Sequence, residues 1–322
     1  MESEPPRLGI VVSTRNRAEQ LRELLDALAA QELAADAFEV IVVDDASTDE
    51  TPQVLEAELA RQRLRLRLVR RDSSGGAAIG REVGWRESAA PVIAFTDDDC
   101  VPDPHWARAL LEACEANPTA LVQGRTEPRP DQLDRTGPFS RTIDVVALDH
   151  AFQTTNIAYP RELLERIGGF DTGAYAGAVG GEDTDLAWRA IATGAEAVFA
   201  DDALVHHAVN VLGPGGLLRV AARWTAALPY ARHDQIRRRY FVGGVFRKHT
   251  HLWLAMAVAG LLLPRRLRLL AVPLAIPYLR ALRARGILQG GGLAMVPYFV
   301  LHDVVEVYAT IRGGLRGGRL LI

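Results

Sequence analysis

Short apolar runs that end abruptly in polar or acidic residues recur through the first two hundred positions. Leu8-Gly9-Ile10-Val11-Val12-Ser13 reads as a buried strand, and Thr14-Arg15-Asn16-Arg17 follows it as a polar turn. Leu21, Leu24, Leu25 and Leu28 then recur at helical spacing, which predicts a helix to about Gln31. Phe38 to Val43 is a second strand ending in Asp44-Asp45-Ala46-Ser47. Ser47 or Thr48 can cap the next helix, whose first turn holds Asp49 and Glu50. Leu64, Leu66 and Leu68 alternate with Arg63, Arg65 and Arg67, the pattern of a one-sided strand at a sheet margin. Gly75-Gly76 opens a helix to about Glu87, and Val92 to Phe95 is a strand running into Thr96-Asp97-Asp98-Asp99. Strands alternating with helices predict an α/β fold with a parallel, doubly wound sheet, in which ligands bind beyond the C-terminal strand ends. Thr14, Asp45 and Asp97–Asp99 all fall at such ends.

The pattern then loosens. Pro102-Asp103-Pro104 starts a helix to about Ala116, Leu121 to Gly124 is a strand, and Arg125 to Gly137 is a loop. Phe152 to Tyr159 reads as a strand, and Pro160 begins a short helix that stops at Gly168-Gly169. Gly173 to Gly181 is glycine-rich with few apolar anchors and is expected to be a mobile substrate loop. A helix from Glu182 to Thr193 follows, then a strand from Ala195 to Ala200 leading to His206-His207. From about Leu212 long apolar segments take over: Leu252–Leu263, Leu267–Leu282 with Arg268, Arg280, Pro273 and Pro277, and Leu293–Ile311 with His302, Asp303 and Glu306. None is an uninterrupted span of the ~20 residues needed to cross a bilayer. Arginine-flanked, broken segments of this kind fit interfacial or re-entrant helices, or a helical cap or dimer interface.

Composition sharpens this division. Hydrophobic residues make up 48 % of the 322, enough for a large α/β domain and an appendage. Residues 1–211 carry 37 acidic and 20 basic side chains, a charge of −17, and residues 212–322 carry 3 and 17, a charge of +14. The second region therefore suits an anionic partner, and its long apolar runs favour a membrane surface over nucleic acid. Two cysteines, Cys100 and Cys114, give no disulfide framework and fit a reducing compartment. The polar, acidic start from Met1 to Leu8 does not read as a signal peptide. Asp97-Asp98-Asp99 sets three like charges side by side, so something positive must offset them. A hard divalent cation, Mg²⁺ or Mn²⁺, would do so and could also hold substrate phosphates.

Four motifs in order then carry a resemblance: Val11-Val12-Ser13-Thr14-Arg15-Asn16-Arg17, Ile41-Val42-Val43-Asp44-Asp45-Ala46-Ser47-Thr48-Asp49, Phe95-Thr96-Asp97-Asp98-Asp99, and Gly180-Gly181-Glu182-Asp183-Thr184-Asp185-Leu186-Ala187-Trp188-Arg189. Over roughly residues 8–207 the chain resembles the family-2 inverting glycosyltransferases of the GT-A fold. The resemblance implies a Rossmann-like, mixed but mostly parallel sheet flanked by helices over residues 1–211. A helical, partly apolar region, membrane-associated or oligomerising, would then occupy 212–322. It puts Asp97-Asp98-Asp99 in the place of the DXD motif. Asp99 would be the direct metal ligand, Asp97 a holder of ribose or metal-bound water, and Asp98 a donor-side residue. The link to Pro102 is shorter than in many relatives. Asp45 resembles the carboxylate that accepts from a base N–H, with Thr14 and Asn16 beside base or ribose and Arg81 near base or phosphate. Where many relatives have Asn after that arginine, this chain has Glu82. Asp183 takes the place of the general base and Glu182 of its helper. Asp185 would support helix or substrate geometry, Gly181 would face the acceptor, Trp188 would be an acceptor-sugar platform or a core tryptophan, and Asn156 would touch the transferred sugar. A histidine after the last strand, His207 in preference to His206, would complete the metal site.

The expected activity is therefore transfer of a sugar from a nucleotide sugar, a UDP-sugar first, to a hydroxyl acceptor with Mn²⁺ or Mg²⁺ bound. The cationic, apolar end would place this on the cytoplasmic face of a membrane, peripheral or partly inserted, or else in the cytoplasm, acting on a lipid-linked or cell-envelope glycan, with a homo-oligomer as a further expectation. Two other classes remain open: a nucleotidyltransferase on a related sheet, against which the glycine-poor Ser13–Asn16 turn speaks, and a non-catalytic, membrane-associated glycan-binding protein, against which the intact carboxylate series speaks.

Overall fold

The computed structural model describes residues 5–177, 180–288 and 292–322. Residues 1–4 of the polar N-terminus and residues 178–179 of the glycine-rich segment lie outside the described residues. The chain divides into two compact units, Met1–Asp134 with Thr142–Val209, and Arg135–Arg141 with Asn210–Ile322.

The first unit is built in chain order from β1 (Leu8–Thr14), α1 (Ala18–Ala29), β2 (Phe38–Asp44), α2 (Thr51–Arg61), β3 (Leu66–Arg70), α3 (Ala77–Glu87), β4 (Val92–Thr96), β5 (Cys100–Pro102), α4 (Trp106–Ala116) and β6 (Leu121–Pro128). After the two-residue β7 (Ser140–Arg141), which belongs to the second unit, come β8 (Asn156–Pro160), α5 (Arg161–Ile167), α6 (Glu182–Ala192) and β9 (Ala197–His207). One sheet of eight strands runs β3-β2-β1-β4-β8-β6-β9-β5. The β1–β2, β2–β3, β1–β4 and β6–β9 pairs are parallel, while β8 is antiparallel to both neighbours and β5 antiparallel to β9. This is the mixed, mostly parallel sheet of a GT-A fold, with β3 at one margin as its one-sided pattern required.

Strand alternation divides the core between two faces. Ile10, Val12, Val40 and Val42 pack with Leu21, Leu24, Leu25 and Leu28 of α1 and Trp106 and Leu110 of α4. Val11, Ile41, Val43, Ile93 and Phe95 pack on the other side with Trp85 of α3, Leu163 and Leu164 of α5, and Leu186 of α6. Helix α3 lies unusually close to β1. A Cβ at Gly84 would stand 2.4 Å from Val11 Cγ1 and one at Gly80 2.1 Å from Ser13 Oγ, so both positions require glycine. That approach brings Arg81, between them, over the strand ends.

Several boundaries differ from the expected ones. Strand β6 runs on through Arg125 to Pro128 and a 3-10 turn follows at Pro130–Arg135 in place of the expected loop, and α4 begins at Trp106 and not at Pro102. Strand β8 begins at Asn156, not Phe152, whose φ of +47° takes it out of the strand. Strand β9 continues to His207, so the histidines lie inside it and not beyond it. The short β5 follows the triple aspartate at once and pairs Cys100 with His207. Cys100 and Cys114 are both buried free thiols.

The second unit holds β7 paired with β10 (Asn210–Val211) and helices α7 (Gly213–Ala221), α8 (Leu228–Arg232), α9 (Asp234–Tyr240), α10 (His249–Leu261), α11 (Ala271–Leu288) and α12 (Val296–Arg316). Among the described residues one helical stretch, Gly292–Arg316, is long and apolar enough to cross a membrane by length and composition. It also carries the buried Asp303 and Glu306. The three acids of this region are all paired: Asp234 with Arg237 and Arg319, Asp303 with Arg285 and the Tyr278 hydroxyl, and Glu306 with Lys248 and His251. His302, Asp303 and Glu306 stand close enough to share a cation. Lys248 Nζ, 2.7 Å from both Glu306 oxygens, and Arg285, 3.0 Å from Asp303, already supply that charge. Burial opposes the Glu306 carboxylate, but His251, Lys248 and Arg247 outweigh it and hold the group well below its ordinary value.

Glu306→Ala should therefore destabilise this unit by about 2–3 kcal/mol, the lower end for a broken buried pair because half-exposed Lys248 can return to water. A depressed carboxyl contributes stability above its unfolded value and loses it as pH falls. The gap between native and variant in urea melts should thus be full at neutral pH and narrow in acid below the ordinary glutamate range.

Candidate active site

The C-terminal ends of β1, β2 and β4 converge with the start of α6 and the end of β9. Thr14 closes β1, and its Oγ1 donates to Asp98 Oδ2 at 2.8 Å. Asn16 takes a φ of +53° that asparagine tolerates. Its backbone N–H donates to Ser47 Oγ at 2.9 Å and its Oδ1 accepts from Thr48 N–H at 2.7 Å. Asn16 thus ties the loop after β1 to the loop after β2.

The three aspartates after β4 point to three different sets of partners. Asp97 Oδ1 accepts from Arg81 Nη2 at 2.6 Å and Oδ2 from Thr155 Oγ1 at 2.8 Å. Asp98 lies against Thr14, with Arg17 Nη1 3.8 Å from its other oxygen. Asp99 Oδ2 accepts from Arg17 Nη1 at 2.7 Å, and Oδ1 faces His207 Nε2 at 3.5 Å. Burial pushes Asp98 up to about 7, with the Asp99 charge adding to the shift and Arg17 opposing it. Asp97 goes the other way: burial disfavours its charge, but Arg81 and His207 hold it below its ordinary value.

The pairing of Cys100 with His207 brings the imidazole to the aspartates. Neighbouring strand residues face opposite ways, so His206 is turned from them. His207 Nδ1 lies 2.8 Å from the Ala208 carbonyl oxygen, which can only accept, so Nδ1 carries a proton and Nε2 is the ring nitrogen that faces Asp99. One ligand atom each from Asp97, Asp99 and His207 lies within 4.8 Å of the others. Two carboxylate oxygens and an imidazole nitrogen fit Mn²⁺ or Mg²⁺, the nitrogen favouring Mn²⁺.

Gly180 and Gly181, at φ +96° and +99°, turn the chain into α6, a conformation that demands glycine. Glu182 and Asp183 occupy the first helical turn, where the helix dipole favours acids. Glu182 is buried and accepts at Oε1 from Arg81 Nη1 at 3.1 Å. Its Oε2 and Arg81 Nε are buried without protein partners, polar atoms left for a ligand or water. Asp183 is half-buried, and Oδ1 accepts the Thr184 N–H at 2.8 Å. Burial first, and then the Glu182 charge, raise its carboxyl well above the ordinary range, against Arg81. Asp185 accepts from Arg189, which donates to the Ile167 and Gly169 carbonyls.

Three expected site residues are engaged elsewhere. Asp45 is ringed by Ser74 Oγ at 2.7 Å, the backbone N–H groups of Gly75 and Gly76, and Arg71. Burial opposes its ionisation, but these donors outweigh it and lower its pKa. A base N–H would have to displace one of them. Asn156 binds Trp106 Nε1, the Arg125 carbonyl and the Ala203 carbonyl, fastening β8 between neighbours instead of reaching a sugar. Trp188, partly buried, packs edge-on to Phe152 and donates to the His150 carbonyl, partners that suit the core-tryptophan reading of this position. Conversely, sequence reasoning missed Arg17, Thr155, Arg71 and Ser74. For Arg17 a signal existed: three adjacent carboxylates need positive partners, and Arg17 lies just past a strand end beside them. A groove of about 890 Å³ beside α4 and β9 contains none of Arg17, Arg81, Asp97–Asp99, Glu182, Asp183 and His207, so the chemistry locates the site.

Residues 9–177 match the model of glycosyl transferase family 2. Validoxylamine A glucosyltransferase of Streptomyces hygroscopicus subsp. jinggangensis is 31 % identical over 227 residues, 60 % of this chain and 53 % of that protein. This chain thus spans about half the length of that relative. Glycosyltransferase AglE of Haloferax volcanii is 24 % identical over 66 % of this chain and 70 % of its own length. Among solved structures, mannosyltransferase PcManGT of Pyrobaculum calidifontis, in complex with GDP-Man and Mn²⁺, superposes with a TM-score of 0.63 at 25 % identity, covering 97 % of this chain and 88 % of that one. TarS of S. aureus in complex with UDP-GlcNAc shares the fold, with a TM-score of 0.54 at 17 % identity.

Arg17→Ala should lower the stability of metal-free protein by about 1–3 kcal/mol, the cost of leaving buried carboxylates without their charged partner. A carboxyl raised to about 7 costs stability as pH climbs from the ordinary aspartate value through neutrality. The loss measured by denaturant melts in EDTA should therefore be larger at pH 8 than at pH 5; equal losses would remove Arg17 from the charge balance.

Proposed function

Because the chain belongs to glycosyl transferase family 2, we propose that it is a metal-dependent inverting glycosyltransferase that moves a sugar from a nucleotide sugar to a hydroxyl acceptor. The observation that carries this reading is Arg81. Its buried guanidinium holds Asp97 of the triple aspartate with one nitrogen and Glu182, next to Asp183, with another. The donor-side carboxylates and the proposed base are thereby set into one frame.

Asp97, Asp99 and His207 would hold the divalent cation, which supplies charge neutralisation at the leaving diphosphate. Thr14 and Asn16, at the end of β1, form the nucleotide side. Asp45 acts there by fixing the 71–76 loop, with a base N–H competing against Ser74. Asp183 takes the proton from the acceptor hydroxyl as that oxygen bonds to the anomeric carbon. The bond from that carbon to the phosphate oxygen breaks on the opposite side, and the nucleoside diphosphate leaves with its electron pair. A raised carboxyl suits this role, because a stronger base still ionised near neutrality removes the proton more readily. Glu182, held by Arg81, sets the position of the first turn of α6. The donor in our reading is a UDP-sugar. The likeness to a mannosyltransferase holding GDP-Man makes GDP-sugars the first comparison. The acceptor is the hydroxyl of a lipid-linked or cell-envelope glycan, met at the cytoplasmic face of a membrane.

A panel of UDP-, GDP- and dTDP-sugars with Mn²⁺ tests the reading by nucleoside diphosphate release, whereas a nucleotidyltransferase would release pyrophosphate. Failure both to bind and to turn over every one of these donors would overturn it. Asp183→Asn should lower kcat by about 10³-fold, within the usual range for a general base, while leaving the donor-induced thermal shift intact. The rate should rise with pH along a limb centred above the ordinary aspartate range, because the raised carboxyl must ionise to act. Asp99→Ala and His207→Ala should each weaken Mn²⁺ binding, measured by electron paramagnetic resonance, by about tenfold or more.

A further inference from the structure

The second unit gathers exposed apolar side chains at the turn between α10 and α11. Leu261, Leu262 and Leu269 are 72 %, 79 % and 86 % exposed, and Leu267, Leu270 and Val272 are exposed beside them. Single exposed leucines are ordinary on a soluble surface, but six large apolar side chains within twelve residues mark an interaction surface. The turn has a packed base: a Cβ at Gly260 would stand 2.8 Å from Ala271 Cα, so the two helices meet there at backbone distance. Arg265 and Arg266 are exposed within the same turn. From residue 235 to residue 302 the chain has eleven basic residues and no acidic one.

We propose that the α10–α11 turn docks on an anionic lipid bilayer, its leucines entering the acyl boundary and Arg265 and Arg266 lying at the level of the lipid phosphates. Charge selects this occupant. A second copy of the chain would set these arginines against the same arginines, with no carboxylate in the segment to pair them. A bilayer with anionic headgroups offers both the apolar interior and the phosphates that the patch lacks. Element length favours lying in the interface over crossing. The 13 residues of α10 reach only about 20 Å, short of the roughly 30 Å hydrocarbon core. Helix α11 is interrupted by Pro277 and carries Arg280, Arg283 and Arg285. The apolar α12 has its two acids paired inside the unit.

The test is vesicle sedimentation of the full chain, without donor, so that its outcome is separate from that of the transferase reading. Vesicles containing phosphatidylglycerol should bind the native protein about tenfold or more tightly than phosphatidylcholine vesicles, and salt should weaken the difference. Leu261→Gln, Leu262→Gln and Leu269→Gln combined should lose binding to both vesicles while keeping the native circular-dichroism melt. Arg265→Gln with Arg266→Gln should erase the preference for the anionic lipid and retain residual binding. Equal sedimentation of native and leucine-substituted protein would overturn the proposal. So would failure of the native chain to bind either vesicle, or light scattering showing a native dimer that the leucine substitutions turn into monomer.

Discussion

The Arg81 guanidinium is the interaction on which the candidate site depends. It is buried, and it spans from the first aspartate after β4 to the first glutamate of α6, two points separated by 85 residues of chain (97 to 182). Burying a charge of this kind is costly unless it is paired on all sides. Here both terminal nitrogens meet carboxylates, and Thr155 satisfies the other oxygen of Asp97. The close seating of α3 on β1, enforced by Gly80 and Gly84, aims the arginine there. A larger residue at either glycine would lift the helix and take the bridge with it.

The same charge logic distributes the rest of the site. Three consecutive aspartates would repel one another, and the chain separates them by giving each a different environment. Asp97 is held ionised by Arg81, Asp98 is pushed toward neutrality by burial, and Asp99 is divided between Arg17 on one oxygen and His207 on the other. A divalent cation entering beside Asp97, Asp99 and His207 would meet carboxylate oxygens already aimed and an imidazole whose tautomer is set by the Ala208 carbonyl. Carboxylates that shift in opposite directions are a recurrent signature of functional sites, because one neighbourhood must hold charge while another moves protons. Asp183, raised on the far side of Arg81, fits the second role in the proposed transfer.

Much of this was legible in the residue pattern because it is local. The runs closing in Thr14, Asp44-Asp45 and Asp97 are short, apolar and bounded, and a parallel sheet places all their C-terminal ends on one edge. Glycine before acids before an apolar helical stretch marked the turn into α6. What was not legible depends on pairing across the chain. Strand β5 is three residues long and carries no pattern of its own; it exists because Cys100 pairs with His207, and that pairing decides which histidine faces the aspartates. Asn156, Trp188 and Asp45 were readable as polar groups near a strand or helix end. The packed structure gives them Trp106, His150 and Ser74 as partners, which lie too far along the chain for a local pattern to show. In the second region the charge asymmetry was plain in composition, but the three acids turned out to be internal partners for arginine and lysine. The surplus of positive charge is therefore left at the surface.

The proposed transfer is a single displacement assisted by one carboxylate base, with no covalent sugar–enzyme stage. The most direct measurement is the anomeric configuration of the product, read by proton NMR from the anomeric coupling constant and compared with that of the donor the protein turns over. Asp183 acting on the acceptor hydroxyl opposite the leaving diphosphate predicts inversion. A product of retained configuration would contradict it, because retention requires a second displacement or an internal return that this arrangement does not provide.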